Sequence, residues 1–154
     1  MERYMGGLDI IEAEYTDQFE IKVGNDVVVT KPSGYFINNS GANVMNYMPK
    51  GLFEAMFIKL KKNPELDSGL SISQEMVDSF IKQTFVEKKG DKTTLVRAVL
   101  VNDFEICATS SCADPFNYKE EIGFSECMKK IKDAVWDYLG FLLCTAINGF
   151  GSTE

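Results

Sequence analysis

Three consecutive side chains, Ser110, Ser111 and Cys112, carry nucleophilic atoms between a predicted strand and a predicted helix. A serine or cysteine so placed can attack a carbonyl or phosphoryl centre when a neighbouring base takes its proton. The chain has no histidine. That removes the commonest base, the commonest metal ligand and every Ser-His or Cys-His pair. A G-x-S-x-G turn, which would expose a nucleophilic serine, is also missing from the sequence. The three residues are therefore read as turn-capping hydroxyls beside a core thiol, and no catalytic residue is assigned.

Carboxylates cluster just downstream, at Asp114, Glu120 and Glu121. Acids at a helix start interact favourably with its dipole and its free N–H groups, so capping is expected there rather than a metal site. Asp103 and Glu105 share one strand face by alternation, but nothing positions them for acid–base work. The amide-rich helix start near Asn117 is the better ligand candidate, because free backbone N–H groups receive phosphate. Arg97, on a predicted strand, would add a bidentate contact. Among the aromatics, Tyr118 and Trp136 are candidates for stacking on a base, against the alternative of core or interface packing for Trp136. Tyr35, Phe36 and Tyr47 are either a purine platform or the core of a small sheet.

Composition narrows the classes further. Among 154 residues, 16 Lys and Arg face 23 Asp and Glu, a net charge of -7. Such a surface repels nucleic acid and anionic membrane, so no direct nucleic-acid partner and no membrane are expected. Arg3 and Arg97 are the only arginines. No apolar run approaches the roughly 18 residues that a membrane helix needs. The four cysteines, Cys107, Cys112, Cys127 and Cys144, have no CxxC spacing. They are read as reduced, mostly buried thiols of a cytoplasmic protein, with no metal and no cofactor. The start of the chain carries no apolar signal-peptide core.

The elements that must position these residues follow from periodicity. Segments 8–13 and 19–29 read as strands, with Gly24-Asn25-Asp26 as a hairpin turn inside the second. Tyr35-Phe36-Ile37 follows as a strand, then a polar loop over 38–43. A helix is predicted from Met48, with Pro49 at its first position and Leu52, Phe53, Met56, Phe57 and Leu60 on one face, until Asn63-Pro64 stops it. Residues 66–70 read as a linker. Ser73 caps a second helix through Gln83. Residues 88–92 form a charged, solvated turn. Segments 94–101 and 104–109 make a hairpin about Asn102-Asp103. A last helix runs from about Asn117 to Thr145, started by a capping box of Asn117 and Glu120. Its stripe is Phe124, Met128, Ile131, Val135, Tyr138 and Leu142, widened by Cys127, Ala134, Leu139 and Leu143. The fold class is α+β: small antiparallel sheets with two or three helices packed on one side and a long C-terminal helix. Two modules are expected, over 1–63 and 71–148.

The second half also carries a pattern. Ser111-Cys112-Ala113-Asp114-Pro115, Asn117-Tyr118, Glu121 and Gly123 precede Lys132, Val135-Trp136, Leu139 and Phe141-Leu142-Leu143. It resembles the small phage proteins typified by gene forty-nine of coliphage N-four. At the front, Tyr4-Met5-Gly6, Ile10-Ile11-Glu12-Ala13-Glu14, Pro49-Lys50, Leu52-Phe53-Glu54 and Met56-Phe57 form a second pattern. They resemble a module found ahead of phage anti-defence domains, including sponges for cyclic nucleotide or cyclic ADP-ribose signals. The tryptophan that precedes the proline in that pattern is absent here, with Tyr47 nearby instead, and Gly51 falls inside the helix start.

The resemblances imply a phage or prophage accessory protein of the host bacterial cytoplasm. The expected function is binding of a nucleotide-derived immune signal without catalysis, as a homo-oligomer. Arg97 would pair with phosphate, Asn117 would hydrogen-bond a base or ribose, and Tyr118 and Trp136 would stack. The alternatives are an acidic inhibitor that binds a host defence protein, such as a nuclease or CRISPR effector, and a virion or assembly component.

Overall fold

Residues 93–100 alternate strictly between half-buried and buried, the signature of a strand covered on one face. In the computed structural model, which describes residues 3, 8–24, 27–39 and 44–151, this strand is the centre of a three-stranded sheet. The chain divides into two compact units, Met1–Lys59 and Leu60–Glu154.

The first unit contains β1 (Glu12–Thr16), β2 (Phe19–Val23), β3 (Val27–Lys31), β4 (Gly34–Asn39), β5 (Val44–Pro49) and α1 (Lys50–Met56). Strands β1, β4 and β5 form one antiparallel sheet in that order, and β2 pairs with β3 as a hairpin. Aromatic residues occupy both faces of the three-stranded sheet. Tyr35 stacks on Phe53 of α1 with ring centroids 4.0 Å apart, and Phe53 stacks on Phe57 at 4.8 Å. The next residue, Phe36, points to the other face and meets Tyr47 at 5.7 Å and Phe19 at 5.3 Å. Tyr35, Phe36 and Tyr47 thus pack among neighbouring rings. Gly34 permits this packing: a Cβ there would lie 2.7 Å from the Tyr47 ring and collide with the Met48 carbonyl. The Tyr47 hydroxyl donates to the Pro32 carbonyl.

Several boundaries differ from the sequence reading. The first strand occupies Glu12–Thr16 rather than 8–13, because its partner is β4, with Glu12 opposite Asn38. Met48 and Pro49 close strand β5 instead of opening a helix, so α1 starts at Lys50. It ends at Met56, where Phe57 turns to extended backbone (φ −126°, ψ 140°). The start of the front pattern, Tyr4-Met5-Gly6, lies outside the described residues, as do Asn25-Asp26 of the hairpin turn and residues 40–43 of the polar loop. Gly24, within that turn, has φ +70°, a conformation that glycine adopts without a Cβ penalty.

The second unit is α2 (Gln74–Phe80), β6 (Ile81–Lys89), β7 (Thr93–Leu100), β8 (Glu105–Ser111), one 3-10 turn (Pro115–Asn117) and α3 (Glu120–Asn148). The strands form an antiparallel meander with β7 in the middle. Ser73 caps α2 by accepting from the Met76 N–H at 3.3 Å. Helix α2 stops at Phe80 rather than Gln83, and the chain enters β6, a strand absent from the sequence reading. The β7–β8 turn falls where Asn102-Asp103 predicts it. Asp103 has φ +62°, which Asp tolerates better than most residues, and Asn102 accepts from the Phe104 N–H.

Helix α3 covers one face of this sheet. Val96, Ala98 and Ala108 meet Cys127 and Ile131. Beside them, Met76, Val77, Phe80 and Leu100 pack with Val135 and Leu139. The buried line on α3 is therefore Cys127, Ile131, Val135 and Leu139, steps of four throughout. A row of fourth residues is inclined to the helix axis and so follows the twist of the strands beneath. Tyr138, expected on the stripe, is instead exposed and meets Phe104 edge-on at 5.6 Å. At 29 residues α3 is about 44 Å long, while an eight-residue strand spans about 26 Å. The C-terminal part of the helix extends past the length of the strand, and Phe141 and Ile147 are exposed on it.

The cysteines are free thiols, but only Cys127 is buried; Cys107 and Cys144 are exposed and Cys112 is half-buried. Alternation sends Cys107 to the uncovered sheet face, and Cys144 lies off the buried line of α3. Burial pushes the Cys127 thiol above its usual value and keeps it protonated.

Candidate functional site

The start of α3 lies close against β7. Gly123 sits over Thr94, so close that a Cβ at Gly123 would lie 2.6 Å from the Thr94 Cβ and collide with its hydroxyl. Thr94 is fully buried, and its hydroxyl donates to the Tyr118 hydroxyl at 3.3 Å. The Tyr118 proton is thereby left free to donate elsewhere.

The chain reaches this point through a tight turn. Asp114 accepts from the Phe116 N–H at 3.0 Å, Pro115 opens the 3-10 turn, and the Tyr118 N–H closes it onto the Pro115 carbonyl at 3.1 Å. The predicted capping box does not form. Lys119 is the N-cap of α3 and contributes no side-chain cap, because the 3-10 turn places Asn117 ahead of the helix. Asp114 serves as the cap one element earlier.

A cavity of about 220 Å³ opens between this turn, the first turns of α3 and the ends of β7 and β8. Asn117 and Tyr118 line it, together with Lys92, Lys119, Ser110 and Cys112. The cysteine fastens the lysine: the Cys112 N–H donates to the Lys92 carbonyl at 3.0 Å and its thiol donates to the same oxygen at 3.5 Å. A third lysine, Lys88, places its Nζ 4.4 Å from the centre of the Tyr118 ring. Glu126 also lines the cavity and is bridged by Lys129 at 2.6 Å. The arrangement offers hydroxyl, amide and ammonium donors to an acceptor-rich ligand. Among the described residues, no group of three or more Cys, Asp or Glu side chains gathers as metal ligands do.

Of the four residues singled out from sequence, two meet here. Arg97 does not: it lies on the sheet face away from α3, pairs with Glu105 at 2.7 Å and covers the Phe85 ring at 4.3 Å. Trp136 does not either: it packs beside the cluster of Val77, Leu100 and Val135. Lys92, Lys119 and Ser110 escaped the sequence reading as ligand contacts. The hairpin about Asn102-Asp103 held the signal, because continuing its ladder places Thr94 opposite Ser110 and Lys92 beside Cys112.

The cleft, its glycine contact and the long helix all fall in one stretch of chain with a known pattern. Residues 72–147 match the Phage protein (N4 Gp49/phage Sf6 gene 66) family. The matched segment begins just before α2 and ends one residue before the end of α3. Residues 1–71 lie outside it, so the front resemblance to a sponge module gains no support from the match. No curated protein and no solved structure matches the chain. Among the described residues, no helix is long and apolar enough to cross a membrane.

Proposed function

We propose that this is a phage accessory protein that counters host defence by sequestering a nucleotide-derived signal, of the cyclic oligonucleotide or cyclic ADP-ribose type, without catalysis. It acts in the host cytoplasm as a homo-oligomer. The observation that supports the reading is the polar cleft at the start of α3, where Asn117 and Tyr118 stand beside Lys92 and Lys119. At about 220 Å³ the cleft is smaller than the roughly 300–1,000 Å³ of drug-sized sites, so it takes one part of such a ligand. The overhanging apolar end of α3 supports self-association, with Phe141 70% exposed. Calorimetric titration with cyclic dinucleotides, cyclic trinucleotides and cyclic ADP-ribose isomers tests the reading. One ligand should bind, and Asn117→Ala should weaken it; heat-silent titrations across the set would reject it.

A second reading has its own observation. Phe116 is 99% exposed on a hydrogen-bonded turn, an apolar ring presented to solvent. A rigid exposed aromatic suits an anchor for a host defence protein. In that case Phe116→Ser would abolish capture of the partner while nucleotide titrations stayed silent.

A further inference from the structure

We infer that the cleft at the start of α3 is an oxyanion subsite, in which Lys92 and Lys119, with the Tyr118 phenol and the Ser110 hydroxyl, hold a phosphate group. Charge bookkeeping within the cleft carries this. Among the described residues, six of the cationic side chains are bridged to carboxylates: Lys61, Lys82, Lys89, Arg97, Lys129 and Lys132. Lys92 and Lys119 are not among them, and both line the cavity. The cavity's carboxylate, Glu126, is matched by Lys129. The lining of the cleft thus carries a net positive charge, with Asp114, Glu120 and Glu121 of the adjoining turn and helix start outside the lining.

The donors are also of the right kind. Tyr118 accepts from Thr94 and has its own proton to give. Ser110 lies across the ladder from Thr94 on the covered face, and its hydroxyl has no partner among the described residues. Cys112 pins the Lys92 backbone to the end of β8, which keeps this residue in the lining of the cleft. Lys119 is the N-cap of α3, where free backbone N–H groups add to the positive field. Tetrahedral oxyanions present several acceptors to donors on several sides, and the lining supplies both ammonium and hydroxyl donors.

In naming the part of a nucleotide ligand that enters the cleft, the inference rests on the sponge reading, and its test separates the two. The full chain is titrated with inorganic phosphate at constant ionic strength, set with chloride, and followed by amide chemical shifts. Saturable shifts are expected at Ser110, Tyr118 and Gly123, with millimolar affinity. Lys92→Gln and Lys119→Gln should each weaken binding about tenfold, the scale of a lost charged hydrogen bond. Lys62→Gln, remote from the cleft in sequence and exposed, should change nothing. Linear, unsaturable shifts, or unaltered binding in both cleft variants, would overturn the subsite. If a nucleotide binds and phosphate does not, the subsite is rejected and the sponge reading stands. If phosphate binds and every nucleotide fails, the subsite stands and the sponge reading falls.

Discussion

Gly123 of α3 lies against Thr94 of β7 so closely that a Cβ on the glycine would overlap the threonine side chain, and the cleft opens beside them. A fully buried threonine tolerates a helix backbone above it only where that helix lacks a side chain. The same threonine orients Tyr118 through its hydroxyl. One contact therefore sets both the packing height of the helix and the position of a candidate ligand group.

Gly123→Ala should destabilise the protein by about 1–3 kcal/mol, the usual cost of overpacking a filled site. Thr94→Ala in the same chain should recover part of that loss, because it removes the hydroxyl that the new methyl meets. Urea unfolding of the two single variants and the double variant gives the coupling. Strictly additive losses would mean that the helix shifts freely at this point.

Buried and exposed side chains should respond differently. Ile131 is fully buried between α3 and the sheet. Ile131→Ala should cost about 2–5 kcal/mol. Phe116, 99% exposed, should tolerate Ala within about 0.5 kcal/mol. Thermal or urea unfolding of the two variants checks the contrast.

Asp78 of α2 and Lys132 of α3 are bridged at 2.8 Å. The hydrogen bond from Lys132, with a second from Gln74, holds the Asp78 carboxyl below its usual range. A depressed carboxylate contributes stability above its unfolded pKa of about 3.9 and loses it as pH falls through the folded value. Stability measured between about pH 5 and pH 2 should thus fall less steeply in Asp78→Asn than in the parent chain. Parallel curves would show that the bridge is too exposed to matter.

The overhang of α3 carries the expectation of self-association. Light scattering should give a mass above that of one chain, and Phe141→Asp should lower it toward the monomer without loss of helix signal. A monomeric parent chain would remove oligomerisation from the account.

The hairpin of β7 and β8, the cap at Ser73 and the long last helix were legible because each depends on local chemistry: alternation, a side-chain cap, a turn dipeptide. Strand β6 was not, because five of its nine residues are charged or amide side chains and its strand state comes from pairing with β7. Strand β5 was hidden for a similar reason, its Pro49 suiting the start of a helix equally well. Asn117 and Tyr118, which line the cleft, were singled out beside the helix start, a local feature. Lys92 and Lys119 looked like solvated charges, since only the ladder register and the 3-10 turn bring them to one cleft. Arg97 failed by a single step of alternation, which sends it to the opposite face from Thr94 and Val96.

The most direct test of the central claim is native mass spectrometry of the intact chain, incubated with cyclic dinucleotides, cyclic trinucleotides and cyclic ADP-ribose isomers. The account predicts one ligand retained at a fixed stoichiometry and released unchanged on denaturation. Retention of none of them, or recovery of a hydrolysed product, would contradict it.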